Sequence, residues 1–184
     1  MIEDKDRSGW FGASDIRFIL AKNRRSPSWL SWWMTKLGVW RCDFSSKAML
    51  LGTYKEHQIL EFIGAAETDR QIRLPEIALR VNLDGNTGRK IHEVKTHKEK
   101  WTSLQDQYIR QVQVQMYAFG TEEAEIVDYI VDNEDEQNFF LPIDPERLHR
   151  HPVAYDQKFI EGRFLPALRE LAEALKKGEL PNEK

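Results

Sequence analysis

Leu83-Asp84-Gly85-Asn86-Thr87-Gly88-Arg89-Lys90-Ile91-His92-Glu93-Val94-Lys95 is the stretch on which the reading of this chain turns. Residues 77–83 are rich in β-formers, Asn86-Thr87-Gly88 has turn chemistry, and residues 90–96 form a second β-rich run, so the stretch predicts a β-hairpin. Side chains two apart on a strand share a face, which puts Glu93 and Lys95 on one side. Asp84 is placed at the end of the partner strand, just before a glycine. Two carboxylates at one point repel unless a cation lies between them, and hard oxygen donors select Mg²⁺ or Mn²⁺. A lysine beside such an ion can hold or activate a water, the chemistry of phosphodiester hydrolysis. The bland alternative is a solvated strand pair with a surface salt bridge.

The remaining sequence bounds the choice. At 184 residues the chain suits one domain, 1–184, with a full core. Its 41% hydrophobic and 31% charged content is that of an ordinary soluble protein. Cys42 is alone, which excludes a disulfide framework and a cysteine zinc site. The polar start at Met1-Ile2-Glu3-Asp4-Lys5 lacks an apolar signal region, and no run is long enough to span a membrane, so the expected location is the cytoplasm. The net charge of −3 is unevenly spread. In residues 1–100, 18 Lys and Arg face 13 Asp and Glu; in residues 101–184, 9 face 17. The hairpin falls in the basic part, which permits a nucleic-acid cleft without requiring one.

Along the chain, Gly12-Ala13-Ser14-Asp15 opens a helix with Ser14 as the predicted N-cap, a place that suits a phosphate. Residues 23–47 read as irregular and contain Trp29, Trp32, Trp33 and Trp40 with Arg24, Arg25 and Arg41. Such interleaving suits stacking on unpaired bases, or a small aromatic core or oligomer interface. Residues 49–63 predict a helix with Glu56 in its middle, and residues 108–119 another, ended by Gly120. Gln111, Gln113 and Gln115 beside an apolar stripe are unfavourable to bury without partners, which points to a polar role. Gln113 and Tyr117 share a face of that helix. Residues 125–131 and 138–143 predict two strands forming a hairpin that ends the sheet. Residues 156–177 predict an amphipathic helix kinked by Pro166 and stopped by Gly178, followed by a frayed tail, 182–184.

Taken in order, Arg7-x-Gly9-x-x-x-Ala13-Ser14, Gly52-x-x-x-Glu56, Asp84-Gly85 with Glu93-Val94-Lys95, and Tyr108-x-x-Gln111-Val112-Gln113 resemble the phage lambda exonuclease and YqaJ-type viral recombinase group of the PD-(D/E)XK nucleases. Gln113-x-x-x-Tyr117 is also similar to the Gln-Tyr motif of RecB and Cas4 nucleases. The likeness runs from Arg7 to the last helix. It implies an α/β, restriction-endonuclease-like fold, a central mixed β-sheet flanked by helices. The tryptophan-rich segment maps onto no functional element of that group.

The resemblance implies a Mg²⁺-dependent DNA exonuclease, with Mn²⁺ as a substitute and two ions per site, digesting duplex ends 5′-to-3′ in phage-type recombination. Glu56, Asp84, Glu93 and the Val94 carbonyl would hold metal, and Lys95 would position or activate water. Gln111 would order the water or scissile phosphate, Gln113 and Tyr117 would support the cleft and its DNA, and Arg7 and Ser14 would take a terminal 5′-phosphate. Expected partners are DNA, a single-strand-annealing protein and further copies of the chain in a trimer. The competing readings are a Cas4- or RecB-like nuclease of other polarity or endonuclease activity, and a catalytically silent DNA-end-binding subunit.

Overall fold

The computed structural model describes residues 6–40 and 46–182. Arg41, Cys42, Glu183 and Lys184 lie outside them, and with them most of the predicted tail. A 3₁₀ turn, Ala13–Asp15, leads into α1 (Ile16–Ile19), α2 (Pro27–Lys36) and α3 (Lys47–Phe62). Then come β1 (Glu67–Leu74), β2 (Leu79–Thr87), β3 (Lys90–His97), α4 (Asp106–Phe119), β4 (Glu123–Ile130), α5 (Asn133–Gln137), β5 (Leu148–Ala154), α6 (Gln157–Phe159) and α7 (Leu165–Lys177).

The five strands form one mixed sheet in the order β1-β2-β3-β4-β5. Neighbours run antiparallel except β3 and β4, which are parallel and joined by a crossover through α4. Helices cover both faces. Ile91 and Ile126 pack with Val112, Val114 and Met116 of α4, while Val94 and Val127, on the opposite pleats, pack with Leu51, Ile59 and Leu60 of α3.

The predicted hairpin is β2–β3, with its turn shifted. β2 continues through Thr87 and the corner is Gly88-Arg89, where Gly88 takes φ 59. Asp84 therefore lies inside the strand and not at its end. Gly85 serves close approach: a Cβ there would come within 2.5 Å of Leu60 Cδ2 and 3.3 Å of the Glu67 carbonyl. The α3 helix can rest on β2 only because that atom is missing.

Four further expectations are corrected. The segment 23–47 is not irregular throughout, because Ser26 accepts from the Trp29 amide and Pro27 occupies the first turn of α2, a helix start. Ser14 is not the cap. Gly12 holds that position and the Asp15 carboxylate accepts its N–H at 2.7 Å. Residues 138–143 are no strand, since Asn138 turns the chain and Phe140 stands 73% exposed. The closing hairpin strand is instead β5, at the sheet edge, where Pro152 is tolerated. The final helix begins as α6 and passes through a wide π turn, Ile160–Phe164, before α7, so Pro166 lies in the first turn of α7.

β1 had no counterpart in the sequence reading. It is polar, and its ladder to β2 skips Asp69, which has φ 57.

Gly85→Ala is expected to cost about 1–3 kcal/mol, because Leu60 is buried and must shift to admit the methyl. Chemical denaturation checks this. A variant as stable as wild type would show that α3 does not depend on the close approach.

Candidate active site

The β2–β3 ladder stops at Gly85↔His92. Beyond it the strands part, and the Asp84 carboxylate accepts the Val94 N–H at 2.8 Å in place of a backbone carbonyl. The parting opens a cleft of about 210 Å³. Asp84, Glu93, Lys95 and Asn82 line its floor, Glu56 enters from α3, and Gln111 enters from α4.

Glu93 is buried and fully engaged. Lys95 Nζ and Gln111 Nε2 donate to its Oε1, and Gln115 Nε2 donates to its Oε2. Lys95 also lies over the Tyr108 ring, 5.2 Å from the centroid. Burial works to lower the Lys95 pKa, but the Glu93 and Asp84 charges outweigh it and the net shift is upward.

The other two carboxyls are crowded. Burial first, then the Glu93 charge, pushes Glu56 up to about 7. Asp84 is raised well above the usual carboxylate range, by burial and then by Glu93 and Glu56, with Lys95 and the Val94 N–H pulling the other way.

Among the described residues no three acidic or histidine side chains form a ready metal cage. Glu93 is turned to its three donors. The donor set nonetheless fits a hard divalent cation, since Asp84 and Glu56 are held in mutual repulsion that such an ion would relieve.

The opposite end of the cleft is basic, lined by Arg7, Lys36, Arg80 and the exposed Ser14. Asp15 organises it. Its carboxylate accepts the Gly12 N–H, the Trp32 Nε1–H at 2.9 Å and the Lys36 ammonium at 2.6 Å. Lys36 is almost wholly buried. Burial lowers its pKa, Asp15 opposes the shift, and Arg7 and Arg80 add to it. The Arg80 guanidinium donates to the Asp6 carbonyl.

The structure thus brings together Arg7, Ser14, Glu56, Asp84, Glu93, Lys95 and Gln111, with Val94 between Glu93 and Lys95. It does not bring Gln113 or Tyr117. The Gln113 amide ties α4 to the end of β5, donating to the Ala154 carbonyl and accepting the Asp156 N–H, each at 2.7 Å. Tyr117 lines a separate hollow with Arg89, Met116 and Tyr155. The likeness to the RecB and Cas4 motif rested on that pair.

Lys36, Arg80 and Gln115 were missed as site residues. Only Gln115 had a legible signal, four residues after Gln111 on the same helix face. Trp29, Trp32 and Trp33 are core: Trp33 stacks on Trp29 and on Phe11, and Trp32 meets both tryptophans at steeper angles; Trp40 is 57% exposed.

No family model matches the chain, and no curated protein is similar to it in sequence. Solved structures are similar in fold. LHK-Exo in complex with dAMP superposes with a TM-score of 0.71 at 22% identity, over 94% of this chain and 90% of that one. The alkaline exonuclease LHK-Exo from Laribacter hongkongensis gives 0.69 at 17%, with the same coverage. A phage-related exonuclease from Haemophilus somnus gives 0.66 at 12%, over 92% and 96%. The chain has the fold of these exonucleases. The shared architecture, a mixed sheet between helices, is the α/β PD-(D/E)XK fold that the motifs imply. No helix among the described residues is long and apolar enough to cross a membrane.

The crowded carboxyls generate a pH prediction. A raised folded-state pKa means the native protein binds the proton more tightly than the unfolded chain. Stability is therefore lost as pH rises from the ordinary glutamate value of 4.5 through about 7, and is unaffected by this group below 4.5. Glu56→Gln is expected to match wild type near pH 4.5 and to exceed it at pH 8 in EDTA. The gain is on the order of 2 kcal/mol, after allowance for partial exposure. Urea denaturation at the two pH values measures it, and equal stability at pH 8 would remove Glu56 from the repulsive cluster.

Proposed function

We propose that this protein is a divalent-metal-dependent DNA exonuclease, its activity carried by one domain. The observation that supports the reading best is the convergence of Glu56, Asp84, Glu93 and Lys95 in one cleft whose other end is lined by Arg7, Ser14, Lys36 and Arg80. Acids that seek a cation then stand beside bases that seek a phosphate. The similar fold of LHK-Exo, solved with a nucleotide, supports the same reading.

Asp84 and Glu56 would hold Mg²⁺ or Mn²⁺, one ion or two, joined by Glu93 and the Val94 carbonyl. The bound ion supplies Lewis-acid polarisation of a phosphoryl oxygen and a lowered pKa for the attacking water. Lys95, kept charged by Glu93 and Asp84, acts as a donor that orients the water or a phosphoryl oxygen. Gln111 shares the Glu93 oxygen with Lys95 and offers its amide to the same region. Arg7 provides a planar fork for a phosphate, with the Ser14 hydroxyl beside it. A terminal monoester carries more charge than an internal diester, so this end of the cleft favours a 5′-phosphorylated duplex end. Digestion in the 5′-to-3′ direction, a role in phage-type recombination, a single-strand-annealing partner and a trimer complete the proposal.

Duplex DNA labelled at one end, with a 5′-phosphate or 5′-hydroxyl, tests it in Mg²⁺ and in EDTA. Wild type is expected to release nucleotides from the 5′ end in Mg²⁺ only. Lys95→Ala should fall below a tenth of that rate while keeping its fold and DNA binding. End binding in Mg²⁺ without cleavage would instead make the protein a silent end-binding subunit.

Arg7→Ala should lose one charge-assisted contact, about 1.5–3 kcal/mol, or roughly one to two decades of preference for the phosphorylated end. Slow cleavage of hydroxyl ends should change little. Equal wild-type rates on both ends, or an undiminished preference in the variant, would take Arg7 out of the phosphate site.

A further inference from the structure

Gln115 is wholly buried in the middle of α4, between the core residues Val114 and Met116. Its Nε2 donates to Glu93 Oε2 and, at 3.3 Å, to the Asn82 carbonyl. Its own Oε1 has no hydrogen-bond partner. A buried carbonyl without a donor is unfavourable, so the amide is oriented by the acceptors it serves. Glu93 is acceptor-only when ionised, which settles which amide atom faces it.

The three donors to Glu93 are not equivalent. Lys95 and Gln111 line the cleft and share Oε1, whereas Gln115 lies behind the cleft wall and takes Oε2. A cation entering from the cleft meets Oε1 and competes there with an ammonium and an amide. It cannot reach Oε2 without displacing a buried side chain. We infer that Gln115 is a positioning residue for this centre, anchoring Glu93 by Oε2 so that Oε1 alone is presented to a cation. Lys95 holds that oxygen until the cation arrives. The inference rests on the metal-dependent reading above and adds to it a residue that touches neither metal nor substrate.

Removal of the anchor and removal of the competitor should move cation binding in opposite directions, a result that simple packing would not produce. Titration of the full chain with Mn²⁺, followed by the EPR signal of the free ion, reads this directly. Gln115→Met keeps the volume and removes the donor, and is expected to weaken Mn²⁺ binding tenfold or more. Lys95→Met is expected to tighten it. Gln115→Asn keeps an amide that is too short to reach, and should behave like Gln115→Met, which guards against a methionine variant that fails to fold. In cleavage assays, Gln115→Met should recover toward the wild-type rate as Mn²⁺ is raised, with KM for DNA unchanged. Equal Mn²⁺ affinity in wild type and both Gln115 variants would overturn the inference. So would a rate loss that no Mn²⁺ concentration restores, or loss of fold in both variants, since each assigns Gln115 to packing. A wild-type protein that binds no Mn²⁺ would instead sink the metal-dependent reading itself, and this inference with it.

Discussion

The hydrogen bond from the Val94 N–H to the Asp84 carboxylate is the constraint from which the cleft follows. A strand amide that loses its ladder partner must find another acceptor. Here a side chain provides it, and the two strands can part without leaving the amide unsatisfied. The parting opens the cleft that Glu93 and Lys95 on β3 line. The third carboxyl arrives by packing. Leu60 rests on the bare backbone of Gly85, and Glu56 lies one helical turn before Leu60 on the same face. The missing Cβ of Gly85 thereby decides where the Glu56 charge is placed.

The cleft is electrically divided. Its acidic end carries two carboxyls, Glu56 and Asp84, whose pKa values are raised by burial and then by the Glu93 charge. Its basic end is built on Asp15, which binds the indole of Trp32 and the ammonium of Lys36 from the same helix. The tryptophans thus act on the cleft indirectly. By anchoring α2 in the core they bring Lys36 beside Arg7 and Arg80. A second buried lysine steadies the other wall. Lys55, next to Glu56 on α3, is bound to Asp135 and to the Leu141 carbonyl, which limits rotation of the helix that carries Glu56.

Much of the architecture was legible because local and global preferences agree. The hairpin, α3, α4 and β4 have apolar periodicity and clear turn or cap residues. Where they disagree, the sequence misleads. β1 is a run of polar residues with a left-handed Asp69, and β5 is written in histidine, arginine and proline; both are edge strands with little apolar signal. The run 138–143 contains Phe139, Phe140 and Leu141, yet it forms a turn whose side chains are only partly covered.

The sequence by itself determined the hairpin and the identities and spacing of Asp84, Glu93 and Lys95, because a two-residue period leaves little freedom over a few residues. It also carried the likeness to the lambda-exonuclease group and hence the fold. Only the tertiary structure decided which glutamines meet Glu93. Gln111, Gln113 and Gln115 are indistinguishable in composition, but α4 presents the first and third to β3 and turns the second toward β5. It also decided that Lys36 and Arg80, 44 residues apart in sequence, share one end of a cleft. Long-range packing sets such meetings, and no local pattern records them.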